Sequence, residues 1–428
     1  MTTKGSLSGP ASAPGAATRD DFRLDAVDES LLAPPCFFWE SPDGECISLI
    51  GASARRELTG PDPWSEARLW LREVGESNTH PSRPPDTTMP IAFGGFSFDG
   101  GPASAWGLPA GVVMIPALQW RRDPDGRSAV TTWADIEPRL ELGRVENAAR
   151  TEGADLDPFA DEWTRGDWSR AVEWALDRIQ AGGVEKVVLA RSRVVRAPHA
   201  WDVVRAFTAL RETYPPCFRF LYWDNSGSVF LGASPERLVS LRDGQVRADA
   251  VAGTARLGTA DAGDAARALL DDPKERREHE VVAREILSAL REVCPDAAAP
   301  AEPSLLRLAG LAHLHTPVTA TAKPGTHVLD LVSRLHPTPA VAGTPRDEAL
   351  RLIRVIEPRG RGWYAGPIGW MTPEGEGDFA VGIRSALVRG HRALLYAGAG
   401  IVAGSQPERE WDECEAKLGS IGDVLLRG

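Results

Sequence analysis

The chain has 428 residues, 43% of them hydrophobic, and a formal net charge of −12 from 48 basic and 60 acidic side chains. It is long enough to bury a large core. The basic residues are scattered rather than gathered in one stripe, which argues against nucleic acid and anionic membranes as partners. A small anionic substrate remains compatible with this composition, because a few converging Arg and Lys side chains can form a local positive pocket.

The chain ends and the cysteines bear on its location. The first 20 residues are rich in Pro and small residues and lack the apolar segment of a signal peptide, so we expect a flexible tail at 1–20 and one domain over 21–428. No apolar run approaches the roughly 20 residues that span a bilayer. The five cysteines are widely spaced without a CxxC pair, which favours neither a disulfide framework nor a zinc site. We therefore expect a cytoplasmic protein.

The N-terminal third shows short apolar segments broken by Gly and Pro. Between residues 22 and 142, segments such as CFFWE and PIAFGGFSFDG predict successive strands. The polar stretch 146–158 indicates a connector. After it, apolar residues at helical spacing from Trp168 to Ile179 predict a helix that ends at Gly182.

Strands and helices then alternate irregularly. VEKVVLARSRVV, RFLYWD and SVFLGASPERLVSLRDGQVRADAVAG predict strands, and helices are expected over 201–213 and 273–293. Near the C-terminus, RGWYAGPIGWM, DFAVGIRSALVRG and RALLYAGAGIV predict three antiparallel strands, and PEREWDECEAKLGSI predicts an acidic helix. This order favours an α+β architecture over a doubly wound one.

Two predicted helices each carry two glutamates three residues apart. These are Glu275 and Glu278 in the first helix, and Glu410 and Glu413 in the second. This spacing places both carboxylates of a helix on one face. Carboxylates that meet from two helices suit Mg²⁺, which usually takes one or two of them directly and completes its octahedron with water and substrate oxygens. The alternative is an ordinary solvated acidic face.

Two more ionisable residues lie in or beside predicted buried strands. Lys186 lies in the apolar run VEKVVLAR, where burial disfavours the charged amine and would allow a general base. Its alternative is a strand-end lysine whose ammonium reaches solvent. Glu236 follows Pro235 at a strand end, and a glutamate confined in a pocket can retain its proton and act as a general acid. Its alternative is a surface glutamate paired with Arg237.

Several residues could bind an anion. The segments AGTARLG, with Thr254, and AGAGIVAGS, with Gly398, could bring backbone N–H groups close to a carboxylate, although turn glycines are the simpler interpretation. Arg384 and Tyr364 are predicted on nearby strands. The guanidinium of Arg384 could bind a substrate carboxylate or form a structural salt bridge. His313 in LAHLHTPV is more often a core histidine than a catalytic group.

A series of segments, in this order, closely resembles the chorismate-utilising enzymes, which include isochorismate, salicylate, anthranilate and aminodeoxychorismate synthases. The segments are EKVVLAR, FLGASPERL, AGTARLG, KERREHE, LAHLHTP, LHPTPAVAGTP, RGWYAGPIGW, FAVGIRSA and YAGAGIVAGSQPEREWDECEAK. The resemblance covers roughly 163–426 and is weak in the N-terminal third. It implies a single large α+β domain in which two stacked antiparallel β-sheets are flanked by helices. The site would lie deep beside the C-terminal strands.

The same resemblance implies Mg²⁺ as the cofactor. Glu278 and Glu413 would bind the metal ion, and Glu275 and Glu410 would support it through water.

The resemblance also implies the other roles in the site. The enolpyruvyl carboxylate of chorismate would be held by Arg384, Tyr364 and the Gly398 region, Lys417 would lie near the metal-bound ring carboxylate, and His313 and Thr254 would line the ring pocket. Lys186 would take a proton from the water that attacks C2. Glu236 would protonate the C4 hydroxyl as it departs.

Three positions bear on the branch of the family. Lys186 implies water as the nucleophile, because members that use ammonia often carry Gln there, so no amidotransferase subunit is expected. Ala252 stands where members that attack with a lysine place that lysine. Ala340 in HPTPAV resembles the branch that releases isochorismate, since members that eliminate pyruvate tend to carry Thr, whereas Tyr364 does not discriminate.

We therefore favour an isochorismate synthase, an isomerase, with salicylate synthase as the alternative. A non-catalytic relative that binds chorismate would lack the base, the acid or a metal glutamate, and none of these is missing from the sequence. We expect a monomer or weak homodimer, whose product could feed siderophore or menaquinone biosynthesis.

Overall fold

The computed structural model describes residues 34–77, 91–100, 107–132, 163–257, 262–357 and 359–427. The tail expected at 1–20 and the connector expected at 146–158 lie outside these residues. The helices of the described part are α1 (Pro63–Ser77), α2 (Arg165–Gln180), α3 (Val203–Thr213), α4 (Ala262–Asp271), α5 (Pro273–Arg291), α6 (Val328–Leu335), α7 (Arg346–Ile356) and α8 (Pro407–Arg427). Within the described ranges, none of these helices has the length and apolar character to cross a bilayer.

The strands of the same residues, in chain order, are β1 (Cys36–Glu40), β2 (Cys46–Ile50), β3 (Ala54–Leu58), β4 (Ala92–Phe96), β5 (Gly111–Ile115), β6 (Leu118–Arg122), β7 (Ser128–Thr132), β8 (Lys186–Arg196), β9 (Phe218–Trp223), β10 (Val229–Ser234), β11 (Arg237–Arg242), β12 (Gln245–Arg256), β13 (Ser304–Leu308), β14 (Leu311–Thr321), β15 (Gly343–Thr344), β16 (Pro367–Met371), β17 (Gly377–Val381), β18 (Ser385–Arg389) and β19 (Arg392–Val402).

These strands form two large antiparallel sheets. The first sheet has the order β15-β8-β19-β18-β10-β9-β1-β2-β6-β7, and the second has the order β13-β14-β12-β11-β17-β16-β4-β5-β3. Strands of the N-terminal third pair with strands from later in the chain in both sheets, because β1 pairs with β9 in the first sheet and β4 pairs with β16 in the second. The structure confirms the predicted α+β class with two antiparallel sheets and flanking helices.

Aromatic rings fill the space between the two sheets. Phe37 of β1 and Tyr222 of β9 belong to the first sheet, and Phe93 of β4 belongs to the second. The ring centroid of Phe93 lies 4.4 Å from that of Phe37 and 4.4 Å from that of Tyr222. All three side chains are buried. The sheets are therefore stacked face to face, since aromatic side chains bury large apolar areas at such a contact.

The helices that carry the paired glutamates begin where the sequence predicts. At the start of α5 the Asp272 side chain accepts hydrogen bonds from the backbone N–H groups of Lys274 and Glu275, and Pro273 occupies the first turn. This cap puts Glu275 in the first turn and Glu278 on the same face. Helix α5 packs against β12 and β14, and α8 packs against β19.

The prediction of one strand for DFAVGIRSALVRG is wrong. The segment forms β17 in the second sheet and β18 in the first, and Arg384 lies between them with a φ of 50°. A left-handed residue turns the chain away from the strand direction, so the chain changes sheet here. A matching crossing separates β10 in the first sheet from β11 in the second, with Pro235 and Glu236 between them. Two candidate site residues thus lie where the chain passes from sheet to sheet.

Candidate active site

A cavity lies beside these crossings and faces α5 and α8. Its wall contains ten of the residues singled out from the sequence: Glu236, Thr254, Glu278, His313, Ala340, Tyr364, Arg384, Gly398, Glu413 and Lys417. Lys186, Glu275 and Glu410 complete the set. Each of them touches a residue of this wall or is linked to one through a lysine. Lys186 contacts Glu278, Glu275 contacts Thr254, and Glu410 is bridged to Glu275 by Lys274.

Glu236 has the environment of a general acid. Its side chain is 1% exposed, and Oε1 accepts a hydrogen bond of 3.3 Å from the Thr338 hydroxyl. Burial raises the pKa of Glu236 to about 8 despite this hydrogen bond, and the nearby Asp249 carboxylate adds to the increase. The carboxyl therefore carries a proton at neutral pH. Arg237 pairs with Asp378 at 3.1 Å, so Glu236 is not the surface partner of Arg237.

Lys186 is fully buried at the start of β8, and its Nζ lies 2.8 Å from Glu278 Oε1. The alternative of a solvated strand-end lysine is therefore wrong. Gly400 on β19 provides the space for this ion pair. A Cβ at Gly400 would lie 2.4 Å from Glu278 Oε1 and 2.9 Å from Lys186 Cε. This glycine is required by the close packing of two side chains.

Glu278 and Glu413 form the inner pair of carboxylates on the cavity wall. Burial opposes ionisation of Glu278, but the ion pair with Lys186 holds the pKa of this carboxyl below its ordinary value. Glu413 Oε1 lies 2.5 Å from Lys417 Nζ, which also donates a 2.8 Å hydrogen bond to the Gly398 carbonyl. Each inner carboxylate thus has a lysine partner, and Gly398 contributes its carbonyl oxygen.

Glu275 and Glu410 form the outer pair, and one lysine joins them. Lys274 Nζ lies 3.3 Å from Glu410 Oε1 and 3.4 Å from Glu275 Oε1. Burial raises the pKa of Glu275, with Glu278 repulsion adding to it, and burial with Glu413 repulsion does the same for Glu410. The four carboxylates are close enough to repel one another, so they do not form a solvated acidic face.

These carboxylates suit Mg²⁺ in chemistry and in number. No group of three or more His, Cys, Asp or Glu side chains within the described ranges is close enough to hold a metal ion. Each of the four glutamates pairs with a lysine instead. Mg²⁺ needs only one or two protein carboxylates, together with water and substrate oxygens. Glu278 and Glu413, which both line the cavity, fit that requirement.

Arg384 and His313 form a fixed cationic corner of the cavity. Arg384 Nη2 lies 3.1 Å from His313 Nε2, and His313 Nδ1 lies 3.1 Å from Thr254 Oγ1 and 3.2 Å from the Gly253 carbonyl oxygen. An arginine only donates, so Nε2 accepts and the ring proton lies on Nδ1. Burial lowers the pKa of His313 well below its ordinary value. The neutral ring therefore orients Arg384, which agrees with the core histidine considered from the sequence.

Tyr364 and Ala340 lie on the remaining wall. Tyr364 stacks on Tyr396 with ring centroids 5.0 Å apart, and burial raises the pKa of Tyr364 to about 12. The phenol is therefore a neutral donor. The prediction that Tyr364 and Arg384 lie on strands is wrong, since each lies in a segment between strands. Such segments present side chains to a cavity without a strand's alternation.

Three residues of the site were not singled out from the sequence. They are Thr338, which contacts Glu236, Lys274, which joins the outer glutamates, and the buried Arg361, which lines the cavity. Thr338 lies in the HPTPAV segment and Lys274 begins KERREHE, so both belong to motifs that carry the family resemblance. Arg361 begins RGWYAGPIGW, which also carries the resemblance, although no periodicity marks it as buried.

The site combines a protonated carboxyl, a buried amine, two cationic side chains and a set of carboxylates. Such a cavity can bind a small organic anion and carry out acid–base chemistry on it, with a divalent ion as a further ligand.

Comparison with known proteins gives a consistent result. A family model described as chorismate binding enzyme matches residues 23–426. A salicylate biosynthesis isochorismate synthase of Pseudomonas aeruginosa is 41% identical over 91% of this chain and 85% of its own length. The isochorismate synthase MenF of Bacillus subtilis is 35% identical over 89% and 86%. The solved structure of MenF, the menaquinone-specific isochorismate synthase from Escherichia coli, superposes with a TM-score of 0.76 at 29% identity over 94% and 92%.

Proposed function

This chain belongs to the chorismate-binding enzyme family, and we propose that it is an isochorismate synthase, an isomerase that converts chorismate to isochorismate. The observation that carries the proposal is the pairing of a protonated Glu236 with the buried amine of Lys186 at one cavity. An acid and a base are both needed to replace one ring hydroxyl by another. The relatives named as isochorismate synthases match most of the chain and support it.

The reaction consumes one water molecule at C2 and releases another from C4. Lys186 takes a proton from water as the water oxygen bonds to ring carbon C2. The ring double bonds shift and the C4–O bond breaks, while Glu236 donates its proton to the departing hydroxyl, which leaves as water. Lys186 ends with an extra proton and Glu236 without one, so a proton must return from the amine to the carboxylate before the next turnover.

The substrate is held by cations and neutral donors. Chorismate carries two carboxylates, and Arg384 would bind the enolpyruvyl carboxylate with help from Tyr364 and the backbone at Gly398. His313 and Thr254 would line the ring pocket, with His313 keeping the guanidinium of Arg384 in place.

Mg²⁺ is the proposed cofactor, held by Glu278 and Glu413 with Glu275 and Glu410 in support. When bound, the ion would neutralise and orient the ring carboxylate near Lys417. A Glu278 shared with the ion no longer offers Lys186 a free carboxylate. That sharing would weaken the ion pair that stabilises the ammonium form of Lys186, and would so favour the neutral amine that the base role requires.

Salicylate formation would require elimination of pyruvate from the isochorismate. Ala340 on the cavity wall favours release of isochorismate instead, by its resemblance to that branch. We expect the chain to act without an amidotransferase subunit, in the cytoplasm, as a monomer or weak homodimer.

Product analysis tests the function. The purified protein is incubated with chorismate and Mg²⁺, and the products are separated by chromatography beside a sample with EDTA and the Lys186→Ala variant. We expect isochorismate in equilibrium with chorismate, lost in both controls. Salicylate with stoichiometric pyruvate would place the chain in the pyruvate-eliminating branch. No turnover by the folded protein would overturn the assignment.

A further inference from the structure

Thr338 is held rigidly next to the cavity. Its side chain is 1% exposed, and its carbonyl oxygen accepts hydrogen bonds from the backbone N–H groups of Val341 at 3.1 Å and Ala342 at 2.9 Å. Prolines on both sides, Pro337 and Pro339, restrict the backbone further. The Thr338 hydroxyl therefore has a fixed position, from which it donates to Glu236 Oε1 at 3.3 Å.

The backbone of Glu236 is also fixed, but its carboxyl depends on Thr338. The Glu236 N–H donates to Ser234 Oγ at 3.3 Å, and its carbonyl oxygen accepts from the Val381 N–H at 3.1 Å. Among the residues that the structure describes, Thr338 is the single hydrogen-bond partner of the Glu236 carboxyl.

One hydroxyl donor has two consequences for a neutral carboxylic acid. Oε1 accepts the hydrogen bond, so the acid proton is favoured on Oε2. When Glu236 gives up that proton, the same hydrogen bond becomes charge-assisted and roughly twice as strong. The contact thus strengthens as the proton leaves, and only such an interaction lowers the barrier of the chemical step.

We propose that Thr338 is a positioning residue for the acid: it keeps Oε1 occupied so that Oε2 carries the transferred proton, and it stabilises the carboxylate left behind. This inference rests on the acid role proposed for Glu236. It adds a residue of the HPTPAV segment that contacts the acid itself.

Other charged groups also act on this carboxyl. Lys186 of β8 lowers the pKa of Glu236, Asp249 of β12 raises it, and Arg237 of β11 is neutralised by Asp378. The hydrogen bond from Thr338 opposes the dominant effect of burial. Removing the donor while these charges stay in place should raise the pKa of Glu236 further.

The test compares Thr338→Val, which removes the donor at nearly constant volume, with Thr338→Ser, which restores it. kcat and KM are measured for isochorismate formation from about pH 6 to about pH 10, with thermal unfolding as a check on the fold. We expect Thr338→Val to lower kcat about tenfold or more, with KM changed less than about threefold. The alkaline limb of its kcat profile should move to higher pH. Thr338→Ser should recover most of both.

Two results would overturn the inference. One is a folded Thr338→Val variant with the kcat and alkaline limb of the parent. The other is an equal loss in Thr338→Val and Thr338→Ser with an unmoved limb, which indicates packing alone. If Thr338→Val does not fold, Thr338→Ala removes the same donor with a smaller side chain. If a separate Glu236→Gln variant retained the parent kcat, Glu236 would not be the general acid. That result would contradict the acid role in the proposed function rather than the inference about Thr338 alone.

Discussion

At Glu236, burial and hydrogen bonding act in opposite directions on one carboxyl. Burial dominates, because the pKa of about 8 is far above the ordinary 4.5 despite the donor from Thr338 and the positive charge of Lys186. A carboxyl that keeps its proton at neutral pH is what proton donation to a leaving hydroxyl requires. This residue therefore determines how the reaction should depend on pH.

We predict that kcat falls as pH rises through about 8, the pKa of Glu236. The acid form is present below that pH and is lost above it, so the fall belongs on the alkaline side. Isochorismate formation across the pH range measures this limb. Glu236→Gln serves as the control, because its residual rate should lack the limb. A parent rate that stays level from about pH 7 to about pH 10 would contradict the acid role.

The same shift predicts a stability change of known sign. Since the folded-state pKa of Glu236 is raised, its favourable contribution is complete below about pH 4.5 and is lost as pH rises through about 8. Glu236→Gln should therefore gain stability relative to the parent as pH increases, by up to a few kcal/mol. Urea unfolding near pH 5 and near pH 9 measures the difference. An equal difference at both values would contradict the linkage.

Lys186 and Glu278 are best tested as a pair. Lys186→Met leaves a carboxylate of the inner pair without its lysine, so we expect a loss of about 3 kcal/mol or more in the free energy of unfolding. Adding Glu278→Gln should recover much of this loss, because no buried charge is then left unpaired. Neither Lys186→Met nor the double variant should form isochorismate at more than about a hundredth of the parent rate. Unfolding and product assays on the parent, both single variants and the double variant separate the two effects.

At the scale of elements, a buried ion pair fixes the end of α7 to β8. Arg361 Nη2 lies 2.7 Å from Glu357 Oε1 and donates to the Val188 carbonyl oxygen at 2.7 Å, while Glu357 Oε1 accepts from the Ala190 N–H at 2.8 Å. Arg361 also donates to the Val341 carbonyl oxygen at 2.6 Å. One guanidinium thus joins α7, β8 and the segment that carries Thr338 and Ala340.

We expect Arg361→Met to lower the free energy of unfolding by about 3–5 kcal/mol, because Glu357 would remain buried without its counterion. Arg351→Met on α7 is the matched control. The Arg351 side chain is 66% exposed where it pairs with Glu348, so its loss should cost less than about 1 kcal/mol. Urea unfolding of the two variants makes the comparison. Similar losses in both would contradict a structural role for the buried pair.

Helix α1 was not predicted from the sequence. The segment lies in the part expected to be a series of strands, yet it forms a helix over Pro63–Ser77. Trp64, Ala67, Leu71 and Val74 follow helical spacing, and the middle two are fully buried. The helical spacing is visible in the sequence, but this short segment lies among segments that predict strands.

At the scale of the whole molecule, the N-terminal third is part of both sheets. Strands β1 and β2 extend the first sheet beyond β9, and β4 and β5 extend the second beyond β16. Phe37 and Phe93 from these strands pack between the sheets. The family match likewise begins at residue 23, well before the motifs that carry the resemblance.

A chain that begins at Trp163 should therefore not fold. It would expose the edges of β9 and β16 and lose the aromatic contacts between the sheets. We expect it to be insoluble or to lack a cooperative unfolding transition, as measured by circular dichroism. A chain that begins at residue 23 is the control and should unfold cooperatively. An active, cooperatively folded product of the shorter chain would show that the catalytic region is independent.

Much of the site could be predicted from the sequence, because helix periodicity and capping depend on nearby residues. Periodicity predicted α2, α3, α5 and α8, and spacing put two carboxylates on one face of α5 and of α8. The ordered segments indicated the family. The sequence also suggested buried positions for Lys186 and Glu236, which the structure confirms.

Only the tertiary structure decided which groups meet. The sheet changes at Glu236 and Arg384, the ion pair of Lys186 with Glu278, and the contact of Thr338 with Glu236 join residues far apart along the chain. Strand order and sheet stacking determine those distances, and neither is encoded by local periodicity. Segments on both sides of a crossing are equally apolar because both are buried, so hydropathy alone cannot mark where the chain changes sheet.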